Sequence, residues 1–147
     1  MPHDRFPTDG LRSFFDRFQS LSAASDLDGL AAMYAAQVMI AGPNGTLVVN
    51  AADLQRAIPK RKLLLESAGY QDTELVGFEE TALTARYSLV RAQFQWRFRA
   101  TDDRPATVTL PSTYIVDGGS GSPRIVLYLN EQDVVSVLRE RGLLPLA

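Results

Sequence analysis

The last third of the chain has the clearest pattern of apolar and polar positions. Between Ala85 and Asn130, three runs of strand-like sequence are separated by short turn sequences. The run around Trp96 has a period of two, which is typical of an antiparallel sheet that is buried on one side only. In this run the apolar positions are Ala92, Phe94, Trp96 and Phe98, and the polar positions are Arg91, Gln93, Gln95 and Arg97.

Helical spacing of apolar residues precedes these strands. An apolar stripe predicts a first helix from Gly10 onward. The sequence at 25–28 resembles a capping box and predicts a second helix that continues through Leu30 and Met33 to Tyr34. The residues of the first stripe are Leu11, Phe14, Phe15, Phe18 and Leu21.

A third helix is predicted near 51–68. Asn50 with Asp53 repeats the capping pattern at its start, and Gly69 is expected to end it in the left-handed conformation. Pro59 lies beyond the first turn, where proline removes a backbone hydrogen bond, so we expect a kink or a break into two short helices there.

The remaining segments complete an α+β pattern. A strand pair is predicted at 38–40 and 46–49, followed after the third helix by strands at about 72–79, 83–100, 106–117 and 123–130. The glycine-rich sequence at 118–123 lies between two strands, so we interpret it as a hairpin loop. Asn130 with Asp133 predicts a last helix to about Arg141. We therefore expect a curved, mostly antiparallel sheet wrapped around N-terminal helices, forming a cone with an internal pocket.

Composition limits the chemistry that the chain can perform. The 147 residues include no cysteine and one histidine, His3. Histidine is the commonest general base near neutral pH and the commonest metal ligand, so a Ser-His-Asp triad or a zinc site is not expected. We expect neither a metal nor a cofactor.

Length and hydropathy predict one domain at 10–147 behind a flexible leader at 1–9. No apolar run approaches the roughly 18–20 residues that cross a bilayer, and the N-terminus does not resemble a signal peptide. We expect a soluble, cytoplasmic protein that does not bind membranes.

The charge pattern argues against a nucleic-acid partner. The net charge is −2, whereas such proteins gain affinity by neutralising phosphates. One basic cluster on the predicted third helix leaves two interpretations, a solvated helix face or an anion or RNA patch. No aromatic residues alternate with it, which favours the first. The cluster consists of Arg56, Lys60, Arg61 and Lys62.

The order of elements resembles the nuclear transport factor 2-like superfamily, which includes ketosteroid isomerases, SnoaL-like polyketide cyclases and scytalone dehydratase. The segment from Ser25 to Ala35 resembles the family's short helix that ends in a tyrosine before a strand. The segments Phe94–Phe98, Ser112–Val116 and Arg124–Tyr128 resemble its paired long strands. The resemblance spans about Leu11 to Arg141 and implies the cone-shaped fold.

The catalytic residues of that superfamily are not matched. The resemblance implies a general-base aspartate at the end of the first strand, where this chain has Ala41-Gly42-Pro43. It implies a tyrosine on the first helix, which here offers only phenylalanines. The cyclase and dehydratase branches use a cavity histidine, which the domain lacks. General acid–base groups typically contribute about 10²–10⁴-fold to a rate, so we lean against catalysis.

Aromatic residues are the candidates for lining a pocket, because such sites are mostly apolar with a few polar groups. Tyrosine and tryptophan combine an apolar ring with a hydrogen-bonding group. Each is also explained by ordinary core packing, and both interpretations stay open. The predicted ligand-binding residues are Phe14, Phe18, Tyr34, Phe94, Trp96, Tyr114 and Tyr128.

The polar face of the same strand has three interpretations: a solvated surface, a dimer contact or a substrate-binding surface. The resemblance implies dimerisation through the sheet, so we expect a homodimer. The predicted interface residues are Arg91, Gln93, Gln95 and Arg97.

The sequence supports three hypotheses about function. The first is a non-catalytic domain that binds a small apolar or partly polar molecule. The second is an isomerase, dehydratase or cyclase in which Tyr34 or Tyr114 polarises a carbonyl and a carboxylate moves the proton. The third is a protein–protein adaptor that uses the polar sheet face.

Overall fold

The computed structural model describes residues 10–24, 26–119 and 121–145, so the predicted leader at 1–9 lies outside the described residues. Helices precede and interrupt a six-stranded sheet. The elements are α1 (Arg12–Ala24), α2 (Leu27–Ala31), β1 (Tyr34–Gly42), β2 (Gly45–Asn50), α3 (Ala51–Ser67), β3 (Tyr70–Ala82), β4 (Tyr87–Arg99), β5 (Pro105–Asp117), β6 (Arg124–Asn130) and α4 (Val134–Glu140).

The sheet has the strand order β2-β1-β6-β5-β4-β3. All neighbouring strands are antiparallel except β1 and β6, which are parallel. The register of β3 against β4 shifts at Tyr70/Asp72 and at Leu75/Gly77, and such irregularities bend a sheet and increase its twist. The predicted α+β class, with a curved sheet against N-terminal helices, is confirmed.

The inner face of the long strands forms the core. Buried and partly exposed residues alternate along β4 from Ser88 to Phe98, as the period of two predicted. The first helix covers this face with Phe15, which is fully buried, and with Phe18. Phe15 packs against Tyr114 of β5, with ring centroids 4.8 Å apart. The helix therefore closes one side of the cone against β5.

The second helix is shorter than predicted. It ends at Ala31, and its N-cap is Asp26, whose carboxylate accepts a hydrogen bond from the Gly29 N–H at 2.9 Å. Tyr34 opens strand β1 instead of ending the helix. The sheet competes for the chain here, because the Ile125 N–H of β6 donates to the Met33 carbonyl at 2.8 Å.

The third helix has the predicted start and end. Asn50 and Asp53 form a reciprocal capping box. Gly69 has a φ of +88°, and a Cβ there would lie 1.9 Å from the Arg99 carbonyl oxygen, so only glycine fits. The predicted break at Pro59 is wrong, because α3 is continuous. Pro59 is exposed. Because proline has no N–H, the carbonyl four residues earlier in the helix has no backbone partner, and water can bind it instead.

In the β3–β4 hairpin, the observed end of β3 and start of β4 differ from the predicted ones. The predicted turn at 79–81 is part of β3, where Glu79 stands opposite Arg91 of β4. Opposite charges on facing positions stabilise a strand pair. The turn lies at 83–86, closed by a hydrogen bond from the Leu83 N–H to the Tyr87 carbonyl at 2.9 Å.

The last helix begins at Val134. Asp133 takes the N-cap position, three residues later than the predicted cap at Asn130, which instead ends β6. The Asp133 side chain makes no capping hydrogen bond. It accepts a hydrogen bond from the Ser136 hydroxyl at 2.7 Å instead. The glycine-rich segment before β6 joins β5 to β6 as a hairpin, as predicted.

Candidate functional site

An internal cavity of about 110 Å³ lies between the helices and the inner face of the sheet. Its apolar wall is formed by Phe18 of α1, by Phe94 and Trp96 of β4 and by Leu110 of β5. The ring centroids of Phe18 and Phe94 are 6.3 Å apart. The alternation along β4 positions this wall, because every second side chain points toward the helices.

Most of the predicted ligand-binding residues line this cavity, although Phe14 does not. Phe14 packs edge-on against Phe15, with ring centroids 5.1 Å apart, and forms part of the core. The predicted residues that line the cavity are Phe18, Tyr34, Phe94, Trp96, Tyr114 and Tyr128. Whether they bind a ligand stays a prediction.

Three tyrosines form the polar part of the wall. Tyr114 and Tyr128 face each other across β5 and β6, and their rings stack with centroids 5.0 Å apart at an angle of 4°. Tyr34 of β1 contacts Phe18, with ring centroids 6.0 Å apart. Burial raises the pKa of the Tyr34 phenol, and the neighbouring Tyr128 raises it further. Both causes also raise the pKa of Tyr114.

Raised phenol pKa values keep Tyr34 and Tyr114 protonated near neutral pH, so both are available as hydrogen-bond donors. Smaller polar groups lie beside them. The Ser112 hydroxyl is within hydrogen-bonding reach of the Tyr114 side chain, and Ser112 donates to Asn130 Oδ1 at 3.3 Å. Neither Ser112 nor Asn130 was predicted as a site residue.

Arg61 of α3 lines the cavity, whereas it was predicted as part of the basic cluster and not as a pocket residue. Its guanidinium carbon lies 5.1 Å from the Trp96 ring centroid, a cation–π contact. No carboxylate pairs with Arg61 among the described residues. Burial acts to lower the pKa of Arg61, but Tyr128, Tyr34 and Tyr114 together outweigh it and raise the pKa.

Arg61 is an exposed residue, yet its guanidinium is desolvated. Its exposed side chain lines the cavity, where neighbouring protein atoms also surround it. Helical spacing could have identified this residue: Ile58, Arg61, Lys62 and Leu65 follow the i, i+3, i+4, i+7 pattern of one helix face. All four line the cavity. The basic cluster is therefore divided, and Arg56 instead pairs with Asp53 on the helix surface.

A wider groove of about 450 Å³ adjoins the cavity beside the β1–β2 hairpin. The two spaces share Arg61, Leu65, Asn130 and Val134 as lining residues. Ala41-Gly42-Pro43, where the resemblance implies a general-base aspartate, lies along this groove. Arg61 thus stands where the groove meets the cavity.

The charged residues in the described part of the cavity lining are cations. Among the described residues, its lining includes Arg61 and Lys62 but no aspartate, glutamate or histidine. Within the same part of the chain, no group of three or more His, Cys, Asp or Glu side chains is arranged to hold a metal ion. The described lining can donate hydrogen bonds and attract negative charge.

The polar face of β4 lies on the opposite side of the sheet. Arg91 forms two hydrogen bonds with the Glu131 carboxylate, both of 3.1 Å. Arg97 binds Asp72 and Glu74 of β3, each at 2.6 Å. The predicted interface arginines are thus paired within their own chain, and the predicted role of this face in dimerisation stays untested.

No helix in the described part of the chain is long and apolar enough to span a membrane. No protein-family model matches the sequence, and no curated protein matches it.

Solved structures match the fold over most of the chain. An NTF2-like protein from Novosphingobium aromaticivorans, described as having a cystatin-like fold, aligns with a TM-score of 0.69 at 15% identity, covering 91% of this chain and 86% of the other. An NTF2-like protein of unknown function from Shewanella oneidensis aligns with a TM-score of 0.66 at 20% identity, covering 86% and 100%.

A third solved structure also matches the fold. It is a ketosteroid isomerase-like protein from Erwinia carotovora atroseptica, with a TM-score of 0.64 at 13% identity, covering 82% of this chain and 92% of the other. Together with the element order, the sheet topology and the helix-covered cavity, these similarities show that the chain has the nuclear transport factor 2-like fold, as its sequence resemblance implied.

Proposed function

We propose that the protein binds a small, mostly apolar molecule with one or two polar groups in the internal cavity, and that it does not convert this molecule. The observation that carries the proposal is the composition of the lining. An aromatic wall faces a cluster of tyrosines, and no carboxylate or histidine is present among the described lining residues. Cavities of this composition are typical of small-molecule sites.

The alternative is an isomerase, dehydratase or cyclase. Tyr34 or Tyr114 could polarise a substrate carbonyl, as that mechanism requires. A second group must then accept a proton, and general bases work best when their pKa lies near the operating pH. Burial raises the pKa of both tyrosines, so neither suits that role. The lining therefore favours binding over conversion.

Native and denaturing mass spectrometry of freshly purified protein tests the proposal. We expect an additional small-molecule mass that is lost on denaturation. Trp96 provides a second readout, because it is the only tryptophan and lies in the cavity wall. Its fluorescence should change when the cavity is emptied and refilled. Turnover of a candidate substrate by protein freed of contaminating enzymes would contradict the proposal.

A matched pair of variants localises the binding. Leu110→Phe enlarges a side chain in the cavity wall and should abolish the retained mass. Leu89→Phe makes the same change on the outer face of β4 and should leave binding intact. If both variants keep the ligand, it binds elsewhere.

We also propose a homodimer formed through Arg91, Gln93, Gln95 and Arg97 on the outer face of β4. The partial exposure of all four residues supports this. The same native spectra report the mass of the assembly, and a monomer mass at micromolar concentration would contradict it. Arg97→Glu should weaken the dimer, because it places a third acid beside Asp72 and Glu74. A complex with another protein that Arg97→Glu abolishes would instead favour the adaptor function.

The cytoplasmic location remains part of the proposal. The absence of cysteine suits a reducing compartment. Fractionation of the native host, with the protein detected by antibody, tests it, and recovery outside the cytoplasm would overturn it.

A further inference from the structure

We infer that the ligand of the cavity is an organic carboxylate, whose negative group binds Arg61 while its apolar body lies against Phe94 and Trp96. The inference rests on the proposed function, because it names the chemical class that the same site would select. It follows from the charge balance of the lining, the contact of the guanidinium with Trp96 and the position of Arg61 between the two spaces.

The charge balance of the cavity is positive. Its lining includes the cations Arg61 and Lys62, and among the described residues it includes no anion. Both side chains are exposed, and neither is paired with a carboxylate among the described residues, so an anion can reach them without breaking an ion pair. Asp133 lines the adjoining groove but forms no ion pair with Arg61, so a bound anion would be the direct charge partner of this guanidinium.

The contact with Trp96 leaves the guanidinium able to bind. An arginine that stacks on an aromatic ring uses one planar face, while its N–H groups point outward in the plane. A carboxylate matches two of these N–H groups with two oxygens. Arg61 also makes a side-chain hydrogen bond with Tyr128, and its remaining N–H groups are available to a ligand.

The tyrosines complete the recognition of an anion. Tyr34, Tyr114 and Tyr128 are close enough to Arg61 to affect its pKa. The Tyr34 and Tyr114 hydroxyls are protonated near neutral pH and can donate hydrogen bonds to a second anionic oxygen. A neutral ligand would leave the guanidinium without a charged partner.

The position of Arg61 sets the orientation of the ligand. Arg61 borders both the cavity and the groove, whereas Phe94 and Trp96 border only the cavity. The carboxylate should therefore lie at the groove end, and the apolar body should point inward. The small volume of the cavity fits a ring or a short chain and excludes a polymer backbone.

Isothermal titration calorimetry with two ligands of the same shape tests this assignment. Cyclohexanecarboxylate carries the charge, and cyclohexanecarboxamide replaces it with a neutral group. We expect the wild-type protein to bind the acid at least about tenfold more tightly than the amide. Neither compound absorbs where tryptophan is excited, so Trp96 fluorescence can confirm occupancy of the cavity.

Arg61→Gln should weaken acid binding at least about tenfold and change amide binding less than about twofold. Lys60→Gln is the matched control, because it removes a positive charge from the same helix at a position that does not line the cavity. It should leave both affinities unchanged. Arg61→Lys keeps the charge but lacks the two-pronged geometry, so it should bind the acid with intermediate affinity.

The outcomes separate this inference from the proposed function. Equal affinity for acid and amide, unaffected by Arg61→Gln, would overturn the carboxylate assignment and leave a neutral-ligand cavity. Failure of the wild-type protein to bind either compound would count against both. If Arg61→Gln does not fold, as judged by circular dichroism, acid binding by Arg61→Lys decides: affinity equal to that for the amide would overturn the assignment.

Discussion

Arginines on the outer face of the sheet and the arginine at the cavity satisfy their charges in different ways. On the outer face, Arg97 binds two carboxylates at 2.6 Å, and Arg91 binds Glu131 through two hydrogen bonds. At the cavity, Arg61 faces the Trp96 ring and a group of tyrosines, with no carboxylate partner in the described part of the chain. The outer arginines are paired with carboxylates of their own chain, whereas Arg61 is the cation that we propose binds a ligand.

The difference follows from how each residue is positioned. Arg97 stands opposite Asp72 in the register of β3 and β4, so strand pairing alone brings the opposite charges together. Arg61 is carried on a helix and reaches strands that are distant in sequence. Its surroundings are therefore set by how α3 packs over the sheet, and the strands that it faces supply rings and hydroxyls.

The largest expected effect is the loss of stability when a carboxylate is placed on the inner face of β4, compared with a carboxylate on its outer face. Val90→Asp introduces a carboxylate at a fully buried inner position. It should lower the free energy of unfolding by at least about 3 kcal/mol, because a buried charge without a partner is strongly destabilising. Gln93→Asp makes the outer-face change and should stay within about 0.5 kcal/mol at a protein concentration where the chain is monomeric. Urea unfolding measures both, and equal losses would show that the two faces do not differ.

Alkaline pH should destabilise the inner face next. The pKa values of Tyr34 and Tyr114 are raised above 10.0 in the folded protein, so above that pH the unfolded chain has lost protons that the folded chain keeps. This contribution to stability is complete below about pH 10 and decreases as pH rises toward the folded-state pKa. Each tyrosine accounts for at most about 1.4 kcal/mol per pH unit.

Urea unfolding at pH values between about 9 and 11 measures this slope, which Tyr34→Phe and Tyr114→Phe should each reduce. Tyrosinate absorbance gives an independent check, because two phenols should ionise later in the folded than in the unfolded protein. Coincident titration curves would contradict the burial of these hydroxyls.

The smallest expected effect is a difference in the salt dependence of stability between variants of Arg97, which is paired with carboxylates, and of Arg61, which is not. Arg97→Gln should lower stability slightly at low ionic strength, and the loss should disappear in high salt, because exposed ion pairs are screened. Arg61→Gln should show no such salt dependence in the unliganded protein, because the described residues offer it no carboxylate. Urea unfolding at two salt concentrations measures both variants, and identical salt responses would remove the distinction.

Local patterns predicted much of the fold. The alternation of β4, the capping box at Asn50 and the left-handed Gly69 depend on neighbouring residues, and all appear as expected. Predictions failed where a distant partner competes with local preference. Tyr34 lies in β1 and not in the predicted helix, because β6 pairs with β1. Glu79 lies in β3 and not in the predicted turn, because it pairs with Arg91 of β4.

The candidate site shows the same division. Aromatic residues were predicted to line a cavity, and most of them do, since the inner face of a strand follows from its period. Arg61 was grouped with its sequence neighbours as a basic cluster. The helical spacing of Arg61 with Ile58 and Leu65 indicates that it lies on the inner face of the third helix. The spacing does not indicate which strands this face packs against.

The sequence by itself determined the element types, the apolar and polar faces of the long strands and the absence of a general-base aspartate at the matching position. These follow from period, turn chemistry and residue identity, which are local. Only the tertiary structure decided that Arg61 meets Trp96 and three tyrosines at a cavity, and that Arg97 is paired with carboxylates while Arg61 has no carboxylate partner among the described residues. Such contacts join residues far apart in the chain, and they exist only once the helices have packed against the curved sheet.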